Sequence, residues 1–192
     1  MLEALGGLGL ASAAGLNAYI PAIVIAVLDR YTDLVTLPEQ FRFLSEPWVL
    51  ATLIVLLLIE EVVDKIPGAD HANDVVQSIV RPVSGAVLFA ASASDSFSGR
   101  VWLALIVGFV MALAVHGTKA AGRGVVNVST AGLGAPVVSV AEDVMSLTLS
   151  LAAILFPILI LGFLIMFALS VRRVSSHRRR RRERSENGAA DA

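Results

Sequence analysis

Hydrophobic residues gather in four long runs, at about residues 8–28, 48–64, 100–117 and 148–171. Each is close to the roughly 20 residues a helix needs to cross a bilayer. The last holds LSLAAILFPILILGFLIMFALSV, residues 149–171, which is 23 positions without a charge. Two other apolar stretches fit less easily. Residues 82–94, PVSGAVLFAASAS, are too short to span at about 1.5 Å per residue, and residues 124–141, GVVNVSTAGLGAPVVSVA, are interrupted by Gly and Pro. Both suit half-helices or re-entrant segments opened by Pro82 and Pro136, because proline fits the first turn of a helix. Irregular backbone is tolerated at membrane depth only against protein or a wet cavity. Pro21 and Pro157 read as readily as kinks in continuous helices. The pattern predicts an all-α polytopic transmembrane bundle of four long spans plus two short Pro-initiated segments, with six spans as the alternative.

A shift of 54 residues superposes Trp48 on Trp102, Lys65 on Lys119, Gly68 on Gly122, Asn73 on Asn127 and Pro82-Val83 on Pro136-Val137. The units 48–94 and 102–148 then share one plan: an apolar helix, a terminal Lys, Gly three residues on, a polar stretch, and Pro opening an apolar segment. If each unit crosses once, the pair forms an inverted repeat, an arrangement in which paired broken segments mark a binding site.

Composition supports the membrane reading. Of 192 residues 56% are hydrophobic and 16% charged, with a mean hydropathy of +0.78, too little polar surface to cover a water-soluble globule. The net charge of -1 hides a split: residues 172–192 carry eight Arg against Glu183, Glu186 and Asp191, or +5, leaving -6 for residues 1–171. This divides the chain into a transmembrane domain, 1–171, and a disordered Arg-rich tail, 172–192. Such a tail resists translocation and attracts anionic lipid headgroups by about 1 kcal/mol per Arg near the surface. No folded motif supports nucleic-acid binding. The loop Asp29–Pro47 holds two Arg against four acids, which puts it outside. An even number of crossings then gives cytoplasmic N- and C-termini in the inner (plasma) membrane. Cysteine is absent, excluding disulfides, thiolate zinc sites and thiol nucleophiles.

The candidate chemistry lies after the second and third runs. Glu60 and Asp64 fall at i and i+4, Glu61 and Lys65 form a second such pair, and Asp70, Asp74, Gln77 and Arg81 recur at spacings of one helix face. His71 lies beside them. In the second unit His116, Lys119 and Arg123 form a basic stripe at i, i+3 and i+7, followed by Asn127, Glu142 and Asp143. Asn17 is the one strongly polar side chain in a Gly/Ala-rich first helix. Ionisable groups in spans persist mainly where they pair or line a pathway. These residues are therefore expected to form an ion- or substrate-binding site in which the acids hold cation or proton, the histidines relay protons and the bases act as counter-charges. The expected pairing joins the units: Lys119 or Arg123 with the acids of 60–74, and Arg81 with Glu142 or Asp143. Asp70, His71 and Asp74 are weak metal candidates, lacking His-Glu-x-x-His spacing, and no cofactor is expected.

The motifs GLNAYIP, DKIPGADHANDVVQSIVRPVSGA and HGTKAAGRGVVNVSTAGLGAPVVSVAEDV resemble the bacterial integral membrane family catalogued as domain of unknown function 4126, over about residues 5–170. The resemblance implies a small multi-pass protein and supplies no activity or catalytic residue. From the residues alone the expectation is a small transporter or ion/proton-coupled channel, homo-oligomeric through its Gly/Ala-rich first helix. The alternatives are a non-transporting scaffold that organises lipid and an intramembrane enzyme acting on a lipid headgroup.

Overall fold

The computed structural model describes residues 1–63, 69–93, 95–97, 99–130 and 134–190; the side chains at 69–72, 74, 95, 125, 127, 135 and 174–190 lie outside the description. Among the described residues there are seven α-helices and no strand: α1 Leu2–Leu16, α2 Ile20–Tyr31, α3 Pro47–Val63, α4 Ala69–Ala93, α5 Val101–Thr130, α6 Ala135–Leu155 and α7 Pro157–Ala190. Short 3-10 turns occupy Glu39–Ser45 and Asp95–Phe97. The chain forms two compact units, Met1–Ile160 and Leu161–Ala192. The second is helical through Ala190, with Phe163 and Phe167 stacked one turn apart.

Among the described residues three stretches are long and apolar enough to cross a membrane: Val75–Ala93, Val101–Thr130 and Pro136–Leu155. A fourth is added if Glu39–Ser45 and Pro47–Val63, bent by 57°, count as one span. Exposure agrees, because α3 turns Leu58, Ile59 and Val62 outward, each more than half exposed, and a helix apolar on all sides is at home in lipid. The expected polytopic helical bundle is what the chain forms, and it is an integral membrane protein.

The apolar runs are divided differently from their hydropathy. Pro82 lies inside α4, so residues 82–93 are the second half of a 25-residue helix whose first half carries the charges that lower its local hydropathy. Pro136 does open α6, but α6 continues for 21 residues and is no half-helix. The run 148–171 breaks at Phe156, where Pro157, which has no N–H to continue the ladder, starts α7.

The first run is also broken. At about 1.5 Å per residue α1 is about 22 Å long and α2 about 18 Å, both shorter than a hydrocarbon core of about 30 Å. If they were collinear, Leu34 would lie more than about 40 Å from Leu2, yet Leu2, Glu3 and Leu10 line one cavity with Ile25 and residues 34–38. The two helices therefore fold back on each other as a re-entrant hairpin with its tip at Asn17–Tyr19. Proline opens α2 here, at Pro21. One end of the first unit, the near face, thus holds both the start of α1 and residues 34–38.

From the near face α3 runs outward, α4 returns, α5 runs outward and α6 returns. This follows from Glu3 meeting Ser96 just before α5, Leu16 meeting Lys119 further along it, and Asn17 and Ala13 meeting Asp143 and Ser146 in descending order on α6. The units 48–94 and 102–148 each contain one such pair running in the same sense, so they are not inverted. At the centre is α1, packed along α4, α5 and α6 and buried from Gly6 to Leu16 except at Leu8. Small residues make this possible. A Cβ on Gly15 would sit 2.6 Å from the Ala112 carbonyl oxygen and 2.7 Å from Val115 Cβ, so only glycine lets α5 approach there. Trp48 and Trp102 are both exposed at the near-face ends of α3 and α5, as tryptophan is at membrane–water interfaces.

Candidate functional site

The site is built outward from the hairpin tip. Asn17 leaves the helix with φ -141° and ψ 126°, and its Oδ1 accepts the N–H groups of Tyr19 at 2.9 Å and Ile20 at 3.2 Å. These are donors that the start of a helix leaves open. Its Nδ2 donates to Asp143 Oδ1 at 2.8 Å. Side chains from three helices meet carbonyls around the turn: Ser146 Oγ of α6 donates to Ala13 O at 3.0 Å, Lys119 Nζ of α5 to Leu16 O at 2.6 Å and Ser84 Oγ of α4 to Ala18 O at 2.7 Å. The signs follow the helix dipoles. A cation meets the C-terminal end of α1, and a carboxylate is held beside the N-terminal end of α2.

Two charged groups flank the tip. Arg81, 1% exposed, donates from Nη2 to Glu60 Oε1 at 2.8 Å and reaches His116 Nδ1 from Nη1 at 3.3 Å. Arginine only donates, so Nδ1 is the acceptor and the ring carries its proton on Nε2, which faces Ser78 Oγ at 3.1 Å. On α6, Glu142 Oε2 accepts from both Lys119 Nζ and Arg123 Nη2, each at 2.9 Å. Two buried polar atoms, Gln77 Oε1 and Arg81 Nε, have no hydrogen-bond partner among the described residues.

Position along each helix follows from its rise. Glu60 lies twelve residues beyond Trp48 and His116 fourteen beyond Trp102, or about 18 and 21 Å along their helices from the near-face ends. Arg123 lies twenty-one residues beyond Trp102, or about 31 Å along α5.

Of the residues expected from sequence, Asn17, Glu60, Arg81, His116, Lys119, Arg123, Glu142 and Asp143 converge here. Asp64, Lys65, Asp70, His71, Asp74 and Asn127 lie outside the described residues, and with them the weak metal candidates. Among the described residues no group of three or more His, Asp and Glu is placed to hold a metal ion. Among the described residues the ion pairs are Glu60 with Arg81 and Glu142 with Lys119 and Arg123; Arg81 meets Glu60 where Glu142 or Asp143 was expected, and the expected pairing of Lys119 or Arg123 with Asp64, Asp70 or Asp74 lies outside the described side chains. Tyr19, Ser78, Ser84 and Ser146 were not expected. A signal existed for two of them: Ser84 is three residues beyond Arg81, and Ser146 is four beyond Glu142, on the same faces.

The profile of a family described as Domain of unknown function (DUF4126) matches residues 4–176. No curated protein and no solved structure matches.

Proposed function

The chain belongs to the DUF4126 family, whose description carries no activity, and from the geometry of the hairpin tip we propose that it is a small cation- or proton-coupled transporter. The observation that carries this reading is an unwound turn, with two helix ends, set among buried ionisable side chains at membrane depth. Stability alone does not call for them, since apolar residues of similar volume replace buried ion pairs without loss in many proteins. Intramembrane charges mark ion and proton pathways, and broken helix ends hold ions in transporters.

Lys119 Nζ occupies a cation position made of the Leu16 carbonyl and the Glu142 carboxylate. A transported monovalent cation, or a proton on Glu142, competes with that ammonium for the same oxygens. The Arg81–His116 contact supplies a second switch: a proton on Nδ1 would leave a donor facing a donor, and the two side chains would part. Gln77 Oε1 and Arg81 Nε offer an acceptor and a donor to water or substrate beside it.

The test is reconstitution into vesicles of phosphatidylethanolamine and phosphatidylglycerol, with flux followed under proton, sodium and potassium gradients. The parent should carry one of these ions, and Lys119→Gln and His116→Gln should each slow it about tenfold or more, with thermal unfolding showing both variants folded. A parent protein that moves no ion under any gradient overturns the reading and favours a non-transporting scaffold.

A further inference from the structure

Two recesses lie away from the buried ion pairs, one among α2, α3 and α4 and the other between the end of α2 and the Glu39–Ser45 turn. One is an apolar groove of about 330 Å³, floored by Ala18 and Ala22 and walled by Leu53 of α3 and by Val83 and Leu88 of α4. It follows α4 from Leu88 to Ile79, nine residues or about 14 Å. The only polar side chains lining it are Tyr19 and Ser84, and the Ser84 hydroxyl is engaged by Ala18 O. Phe43 and Leu44 line its near-face end. Their chain neighbours Arg42 and Ser45 line the second recess, an open pocket of about 450 Å³ shared with Asp29, Arg30, Tyr31 and Glu46. The groove thus ends next to a polar pocket at the start of α3.

That pocket holds two guanidinium groups and two carboxylates, both signs with no net charge. Parts of it are fixed in place. Arg30 Nη1 donates to Ser45 O at 3.0 Å, and the guanidinium lies 5.8 Å from the centre of the Tyr31 ring. Asp29 accepts Leu37 N–H at 2.7 Å and the Ser45 hydroxyl.

We propose that groove and pocket together bind one glycerophospholipid with a zwitterionic ethanolamine headgroup. The phosphate lies against Arg30 and Arg42, whose planar donors suit phosphate oxygens. The ammonium turns to Glu46, and one acyl chain follows the groove toward Tyr19. A flat helix face holds surrounding lipid without preference, whereas a recess with three helical walls and fixed charges at one end selects a chain and its headgroup. The inference stands apart from the transport reading, because lipid retention is measured without flux.

The test is native mass spectrometry of the full chain, delipidated in detergent and then given phosphatidylethanolamine or phosphatidylglycerol in separate arms. A single phosphatidylethanolamine adduct should dominate. It should be lost in Arg30→Gln/Arg42→Gln and in Val83→Trp, which fills the groove from an exposed position. If the double variant fails to fold, Arg42→Gln and Val83→Trp carry the test. A preference for phosphatidylglycerol, or adducts equal in both arms and unchanged in the variants as surrounding lipid would give, overturns the proposal.

Discussion

In the α3–α4 hairpin the acid sits on the outgoing helix, Glu60, and the base on the returning one, Arg81; in α5–α6 the bases Lys119 and Arg123 go out and the acid Glu142 returns. The hairpins also rest on different packing. Helices α4, α5 and α6 all lie along α1, while α3 packs against α2, α4 and the Glu39–Ser45 turn and buries a single residue, Glu60. An all-apolar helix in lipid has no preferred face. The Glu60–Arg81 pair supplies one, so a buried ion pair sets the rotation of α3 about its axis, a use of charge for specificity more than for stability. In α5–α6 the interhelical contact has two bases on one carboxylate.

The comparison can be broken outright by sidedness, where the expected effect is all or none. Single cysteines at Val63 and Thr130, in this cysteine-free chain, should label from one side of the membrane, and cysteines at Asp33 and Gly99 from the other. Labelling of Val63 and Thr130 from opposite sides would restore an inverted arrangement and end the same-sense account.

Stability distinguishes the hairpins next. Arg81→Met removes the guanidinium that donates to the buried Glu60 carboxylate and should cost about 3–5 kcal/mol in thermal unfolding in detergent, most of it recovered in Glu60→Leu/Arg81→Met. Lys119→Met leaves Glu142 its Arg123 and should cost only about 1–2 kcal/mol. Equal costs would mean that the doubled base adds nothing.

The smallest effect belongs to the tip that both hairpins meet. Asn17→Ala removes the cap of α2 and should cost about 1 kcal/mol, with Asn17→Ser, which keeps a capping oxygen, recovering most of it. No difference between the two variants would remove Asn17 from the account of why the chain turns there.

Part of this site was legible before any fold was known. His116, Lys119 and Arg123 share a helical stripe by spacing, and that stripe faces inward. Gln77 and Arg81 share another, which Ser84 continues. The re-entrant hairpin was not legible, because residues 8–28 are continuously apolar and hydropathy is the same for a chain that crosses and one that turns back. Asn17 and Pro21 were the only local marks of the turn. Pro82 misled for a related reason: charges at one end of a span lower its hydropathy even when the fold buries them.

Membrane residence, helical class and the polar faces of α4 and α5 were thus determined by the sequence alone, because apolar length and side-chain periodicity are local properties that any helix carrying these residues would have. Only the tertiary structure decided that α1 and α2 fold back, that Glu60 answers Arg81 and that Lys119 reaches the end of α1. Those partnerships depend on which helix ends reach the same depth, and that depth is set by how closely the glycines and alanines of α1 let α4, α5 and α6 approach.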